Sequence, residues 1–318
     1  MTVQASPARL AVVGAGRVGS SIAYASLIRG VARHIALYDL DEGKVGAEVL
    51  DLGHGRQFAP AAEVVGGSDL EVLRDADVVV LTAGASQRPG QSRLDLVRSN
   101  VELCRQLVPE VVRLAPRAIL LVVTNPVDVL THVCRELSGW PAARVFGTGT
   151  TLDTSRFRYG LAGRCGVAVA NVHAFIVGEH GDSEVPLWSS ATIAGAGVDD
   201  WLASRDRPFA EGERDALFAS VRDAAYRIIA GKGATHYAIG LTTARVLEAV
   251  LDDEHVVLPV TARVDGAHGL PPVTLSLPRL VGRQGAGPLV PLRLSEDERE
   301  ALFASAETIR GVAGSVGF

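Results

Sequence analysis

Leu10–Ala25 reads LAVVGAGRVGSSIAYA, an unbroken apolar run that ends in Gly14, Gly16 and Gly19 and passes into a helical pattern. Turn glycines alone often produce the spacing G-x-G-x-x-G. Here a strand precedes it, a helix follows it, and Asp39 stands 20 residues beyond Gly19 at the end of the next apolar run, HIALYDLD. That context marks a dinucleotide site. The glycines let backbone approach a pyrophosphate, whose charge the helix N-terminus favours. Asp39 is then the acceptor for the adenosine ribose hydroxyls. Leu40, Asp41 and Glu42 follow it with no arginine, so a 2′-phosphate would be repelled and the expected cofactor is NAD rather than NADP.

Outward from this stretch, apolar runs and helical patterns alternate from residue 9 to about 150: RLAVVGAG, SSIAYASLIRG, HIALYDLD, a further helix, ADVVVLTAG, LVRSNVELCRQLVPEVVRLA and AILLVVTNP. Continuous apolar strands imply a sheet buried on both faces. Their alternation with helices implies a parallel, doubly wound α/β (Rossmann) sheet. After about residue 150 the pattern changes to a helix near 153–163, a strand HAFIVGEHG and a long helical stretch over about 209–252. Two strand-like runs follow, HVVLPVTARVDG and PPVTLSLPRLVG, then a helix opened by a capping box of Ser295 and Glu298. We therefore expect a dinucleotide-binding domain over residues 1–148 and a mixed α+β substrate domain over 149–318, with a cleft between packed lobes.

Composition narrows the function classes. The chain has 318 residues, enough for two lobes, and is 47% hydrophobic without an apolar run long enough to span a membrane. The N-terminal residues lack the apolar core and cleavage site of a secretory signal, so a cytoplasmic location is expected. Net charge is −5 with interspersed signs, which argues against a nucleic-acid or membrane-surface partner. Cys104, Cys134 and Cys165 are odd in number and widely spaced, so buried thiols are expected rather than disulfides or a metal site.

Three further segments carry chemistry. LVVTNPVDVL puts Asn125, Pro126 and Asp128 at the carboxyl end of a buried strand, where open α/β sheets place ligands. GTGTTLDTSRFRYG puts Asp153 and Arg156 on one helix face, and FIVGEHGDSEVP places His180 between glycines where a strand ends. An Asn before Pro is often a turn residue and an Asp early in a helix often a cap, so each alone remains ambiguous.

Together, GAGRVGS, TAGASQRPGQSRLDLV, TNPVD, LDTSRFR, GEHGDSE and GKGATHYAIG resemble, in this order and over essentially the whole chain, the lactate/malate dehydrogenase family, on its bacterial lactate-specific side. The resemblance implies reversible hydride transfer between NADH and pyruvate, giving L-lactate. It implies His180 as acid/base, since an imidazole titrates near neutrality and serves both directions. Asp153 then orients the imidazole, and Arg156 grips the substrate carboxylate in a bidentate fork. Asn125, Asp128 and Thr235 line the substrate site. Val18, Lys44, Gly84, Ala85, Val123, Asn125, Thr148 and Ile239 join Gly14, Gly16, Gly19 and Asp39 around the cofactor.

In TAGASQRPGQSRLDLV the family pattern makes the segment after TAG a loop that closes over substrate and brings Arg93 down on the carbonyl oxygen. Arg88 and Arg98 read as solvated charges. Gln87 takes the position that reads the substrate side chain, where malate enzymes of this family carry arginine. A second carboxylate opposite a neutral amide would be buried unpaired, so pyruvate is expected over oxaloacetate. Gln91 departs from the family's usual Glu in PGESR. The resemblance also implies a homotetramer of fermentative glycolysis and a fructose 1,6-bisphosphate effector site at Arg158 and His173, for which plain interface roles are the alternative. A malate or other 2-hydroxy acid dehydrogenase of this fold, and a non-catalytic NAD sensor, are the competing readings.

Overall fold

The computed structural model describes residues 8–84 and 93–318. Ala85, Gln87, Arg88 and Gln91 lie outside the described residues, and Arg93 is described only as the first residue of its helix. The first half runs β1 (Arg9–Val13), α1 (Arg17–Arg29), β2 (His34–Tyr38), α2 (Glu42–Gly55), β3 (Glu63–Gly67), β4 (Val78–Leu81), α3 (Arg93–Leu114), β5 (Ile119–Val122), α4 (Val127–Ser138) and β6 (Val145–Gly147). These strands pair in parallel in the order β3-β2-β1-β4-β5-β6. The chain moves outward in opposite directions from β1 and β4, which opens a crevice at their carboxyl ends.

The parallel core follows from its residues. All of β4, VVVL, is buried, and each such side chain contributes about 1.5–3 kcal/mol when removed from water. Along β1, Leu10 and Val12 join one apolar layer with α1, while Ala11 and Val13 join the other with α3 and α4. This two-sided burial explains why the strands read as continuous rather than alternating apolar runs. The edge strand β3, EVVGG, is mostly exposed and carries no such signal; the apolar reading above passes over it.

The second half continues with α5 (Thr151–Cys165), β7 (Val172–His173), β8 (Ile176–Val177), β9 (Val185–Pro186), β10 (Thr192–Ile193), β11 (Ala196–Gly197), α6 (Val198–Ala203), α7 (Glu213–Arg222), α8 (Ala224–Lys232) and α9 (Tyr237–Leu251). Then come β12 (Val256–Val264), β13 (Val273–Gly282), β14 (Gly285–Leu289) and α10 (Glu296–Ser315). Strands β12, β13 and β14 are antiparallel, but they do not form a sheet of their own. Thr261 of β12 pairs with Gly147 of β6, which extends the sheet to nine strands.

Two expectations need correction. HAFIVGEHG is not one strand: β7 and β8 each cover only two residues, and Gly178, at φ +89°, turns the chain before His180. The helical stretch over 209–252 is three helices, interrupted at Asp223 and over 233–236, where Gly233 adopts φ +80°. Thr235 therefore sits in a break between helices. The capping box forms as read: Ser295 Oγ accepts the Glu298 N–H at 3.2 Å and Glu298 Oε2 accepts the Ser295 N–H at 2.9 Å. All three cysteines are free and buried. Among the described residues, no helix is long and apolar enough to cross a membrane.

Candidate active site

The crevice at the β1 end is built by glycines with different duties. Gly14 has φ +104° and a Cβ there would stand 2.8 Å from the Ala83 nitrogen, so only glycine fits. A Cβ on Gly19 would collide with the Gly14 carbonyl oxygen, so this glycine lets α1 close onto the strand. Gly16 differs: a Cβ there would meet only Lys44 Nζ, at 3.9 Å. Its space is open, and it lies at the N-cap of α1, where the described residues supply no side-chain cap hydrogen bond. The unfilled cradle and unpaired helix end fit a pyrophosphate.

Asp39 closes the other side of this cradle. Its Oδ2 accepts the Ala15 N–H at 2.8 Å and Lys44 Nζ at 3.2 Å, while Oδ1 accepts the Asp41 N–H at 3.2 Å. Partial burial would raise its pKa, but these bonds from Asp41, Ala15 and Lys44 outweigh it and hold the carboxyl below its ordinary value. The group is an anion able to take ribose hydroxyls. Lys44 also brings a cation beside it, which reduces the repulsion expected from the acidic residues alone.

The chemical centre lies where β5, α4 and α5 meet the loop after β8. His180 Nδ1 is 2.6 Å from Asp153 Oδ2, and Arg156 NH1 donates to Asp153 Oδ1 at 2.9 Å. Asp153 is only 3% exposed at its side chain, against 28% for His180 and 15% for Arg156. The acid is thus enclosed, while both cations reach toward the opening. With Nδ1 engaged, Nε2 is the ring atom left for a substrate.

Burial alone would lower the His180 pKa. The charge and hydrogen bond of Asp153, with Asp128 and Glu184 behind it, raise it instead to about 9. Asp153 moves the opposite way: burial opposes its charge, but His180 and Arg156 hold its pKa low. A neutral-pH imidazolium beside a fixed carboxylate is a proton donor held in one orientation.

Asp128 is fully engaged. Oδ2 accepts the backbone N–H of His180 at 2.8 Å and Oδ1 accepts the Thr261 hydroxyl at 2.5 Å. Burial pushes its pKa up to about 6 against both bonds. Thr261 Oγ1 lies 2.7 Å from Ser276 Oγ, which accepts the Thr150 N–H at 3.1 Å at the start of α5. This chain of polar contacts fixes α4, α5 and the His180 loop against β12 and β13. Thr261 and Ser276 were not singled out from the sequence, since nothing in two strand hydroxyls announces a buried carboxylate partner.

The other expected residues divide. Val123 and Thr148 are buried at the ends of β5 and β6, and Asn125 is exposed at the crevice with its carbonyl accepting Asn100 Nδ2 at 2.9 Å. Gly84 presses on Thr124, where a Cβ would stand 2.6 Å from Cγ2. Val18 and Ile239 are half-buried against one apolar layer, and the Gly240 backbone packs on Ser21 of α1, which brings the α8–α9 break with Thr235 toward the cofactor helix. Arg158 reaches the backbone of the residue next to His173. Arg158 Nε donates to the Ala174 carbonyl at 2.9 Å and stacks 5.0 Å above Phe175, while His173 is exposed.

One residue of GEHGDSE escaped notice. Glu184 is 6% exposed and its Oε1 is enclosed without a hydrogen-bond partner among the described residues. Burial, and next the charge of Asp153, push its pKa up to about 8.

Known proteins carry the same two regions. The lactate/malate dehydrogenase NAD-binding domain matches residues 8–147, and the α/β C-terminal domain of that family matches residues 150–313. An L-lactate dehydrogenase of Bifidobacterium animalis subsp. lactis is 48% identical over 98% of both chains. One from Thermus aquaticus is 45% identical over 98% of this chain and all of its own. The crystal structure of a minor L-lactate dehydrogenase from Enterococcus mundtii superimposes with a TM-score of 0.94 at 40% identity, covering 97% of this chain and 98% of that one.

Proposed function

The chain belongs to the lactate/malate dehydrogenase family, and we propose that within it this NAD-dependent oxidoreductase is an L-lactate dehydrogenase, interconverting pyruvate and L-lactate. The observation that carries the proposal is the pairing of His180 and Arg156 on the two oxygens of Asp153. It joins a proton donor and a carboxylate anchor on one enclosed acid, the two groups a 2-oxo acid needs.

Gly14, Gly16, Gly19, Asp39 and Lys44 would hold the cofactor, with Val18, Gly84, Ala85, Val123, Thr148 and Ile239 around it. Bound there, NADH supplies the hydride. Arg156 binds the substrate carboxylate and sets its orientation. His180 Nε2 gives a proton to the carbonyl oxygen in reduction and recovers it in lactate oxidation. Asp153 holds the ring and stabilises its charge, and Asp128 holds the backbone beneath it. Asn125 and Thr235 border the substrate. Arg93 stabilises charge developing on the oxygen, and Gln87 admits a methyl group while leaving a second carboxylate unpaired. In this reading residues 1–148 form the dinucleotide-binding domain, which also sends Gln87, Arg93 and Asn125 to the substrate, and 149–318 form the substrate domain, which sends Ile239 to the cofactor.

We further assign the enzyme to the cytoplasm and to fermentative glycolysis, as a homotetramer. Tyr24 and Ile28 of α1 and Tyr237 and Leu241 of α9 are all more than half exposed on helices that pack together, which supports contact between copies. Arg158 and His173 would bind fructose 1,6-bisphosphate between such copies. The deciding experiment follows NADH absorbance with pyruvate, oxaloacetate and 2-ketoisocaproate in parallel. Preference for pyruvate is expected; preference for oxaloacetate or the branched acid overturns the substrate assignment.

A further inference from the structure

Glu184 follows His180 in the same loop, and its Oε1 has no hydrogen-bond partner among the described residues. Its N–H closes a turn onto the Gly181 carbonyl at 3.2 Å, and its side chain folds inward, with Oε1 enclosed and unbonded among the described residues. The charges that act on it are those of Asp153 and Arg156 from α5, His180 from its own loop, and Arg222 from the end of α7, while the ion pair of Arg156 is made with Asp153. An enclosed carboxylate with no hydrogen bond is costly, and the neutral acid is the cheaper form.

The same neighbours are the ones a substrate needs. Arg156 already gives one donor to Asp153, so its remaining donors are what an incoming carboxylate can use. We propose that Glu184 is a gate on binding of the substrate's carboxylate: neutral, it leaves Arg156 free for the anion, and ionised, it competes for that arginine and repels the anion. This inference rests on the L-lactate dehydrogenase reading, which supplies the monocarboxylate.

The position of the titration agrees. Burial and the Asp153 charge place the Glu184 pKa at about 8, so near neutrality the acid is mostly protonated and above it the gate closes. Asp128, at about 6, is ionised before that range. A titrating carboxyl above pH 7 is therefore attributable to Glu184.

Linkage makes the idea measurable. If the anion binds the neutral form better, the bound anion must raise the Glu184 pKa by the same factor. The test uses the NADH-loaded protein and oxamate, a non-reducible analogue of pyruvate, with infrared difference spectra reading the carbonyl stretch of a protonated carboxylic acid from pH 6.5 to 10. We expect a band that fades with a midpoint near pH 8 and is missing in Glu184→Gln. Oxamate should move the midpoint up by at least about 0.7 pH unit, equivalent to about fivefold tighter binding to the neutral form. If the glutamine variant does not fold, Glu184→Asp assigns the band by displacing it. Absence of a titrating band, or an unmoved midpoint while oxamate demonstrably quenches bound NADH fluorescence, overturns the gate. Failure of both oxamate and pyruvate to bind the NADH complex overturns the underlying dehydrogenase reading and the gate with it.

Discussion

Asp153 Oδ2 lies 2.6 Å from His180 Nδ1, although 27 residues separate the two in sequence. The carboxylate is enclosed and the imidazole reaches the opening, so the pair is anchored at one end and available at the other. Its other oxygen takes Arg156 at 2.9 Å. The proposed proton donor and the proposed carboxylate anchor are therefore both held by one residue, and a shift in Asp153 moves both.

Replacing Asp153 by asparagine should lower the His180 pKa. In the wild type, burial lowers it but the Asp153 charge and hydrogen bond carry it to about 9; without that charge it should fall by more than about one unit. Histidine ring signals in magnetic-resonance titrations read this directly. Pyruvate reduction should slow by on the order of 10²–10⁴, the contribution typical of a positioned proton-transfer group. The stability consequence has a definite sign. A folded pKa raised above 6.5 contributes stability that is complete below about 6.5 and lost as pH rises through about 9. The Tm of the wild type should thus drop more between these values than that of Asp153→Asn. Equal drops would show that the pair does not set the proton's affinity.

Arg156→Lys keeps the charge and removes the fork. A lysine cannot engage both carboxylate oxygens in one plane, so the KM for pyruvate should rise about a hundredfold, near 3 kcal/mol. NADH affinity should hold, because Arg156 contacts the Asp153 side of the site. Steady-state kinetics and NADH fluorescence separate the two, and a variant with unchanged KM would remove Arg156 as the anchor.

Asp39→Ala tests the cofactor choice. The carboxylate bonds Ala15, Asp41 and Lys44; its loss removes the ribose acceptor and leaves Lys44 as an uncompensated cation. NADH affinity should weaken about tenfold or more, and NADPH should gain, since a 2′-phosphate can now pair with Lys44. Comparing kcat/KM for both cofactors checks it. An unaltered ratio would mean that Asp39 serves the fold alone.

The legible parts of this protein are those that one local signal specifies. Val78–Leu81 is a buried parallel strand because every residue is apolar, and Gly14 announces its turn because no other residue fits there. His180, Asp153 and Arg156 are legible through their motifs, and the structure brings them together. Illegible are the features that depend on distant partners. Glu179 and Glu184 are alike in sequence, yet Glu179 accepts the Ser183 N–H at 3.3 Å while Glu184 Oε1 is enclosed and has no hydrogen-bond partner among the described residues. That Asp128 holds the Thr261 hydroxyl and the His180 N–H on its two oxygens shows only in the structure. The joining of β12 to β6 rests on a single paired position, Thr261 with Gly147, which no run of residues advertises.

Fructose 1,6-bisphosphate should lower the KM for pyruvate if Arg158 and His173 form an effector site. Burial lowers the Arg158 pKa and its Nε is committed to the Ala174 carbonyl, so the guanidinium is already oriented. Titration at sub-saturating pyruvate should show activation that Arg158→Gln abolishes without changing kcat. A flat wild-type curve would assign both residues to plain interface contacts.

Gln87→Arg should convert the substrate preference. Oxaloacetate differs from pyruvate by one carboxylate, and closing that charge into the site opposite a neutral amide costs at least several kcal/mol. An arginine at this position would pair with it, in the planar geometry that suits a carboxylate. About 4 kcal/mol recovered in the transition state corresponds to roughly a thousandfold in kcat/KM for oxaloacetate. Pyruvate turnover should fall at the same time, because the methyl group would leave the new guanidinium desolvated and unpaired. Arg88 is adjacent in sequence, so Arg88→Ala is the matched variant: it should leave the preference for pyruvate intact. If Gln87→Arg gains less than tenfold on oxaloacetate, or if Arg88→Ala alone shifts the ratio, side-chain selection does not reside at Gln87.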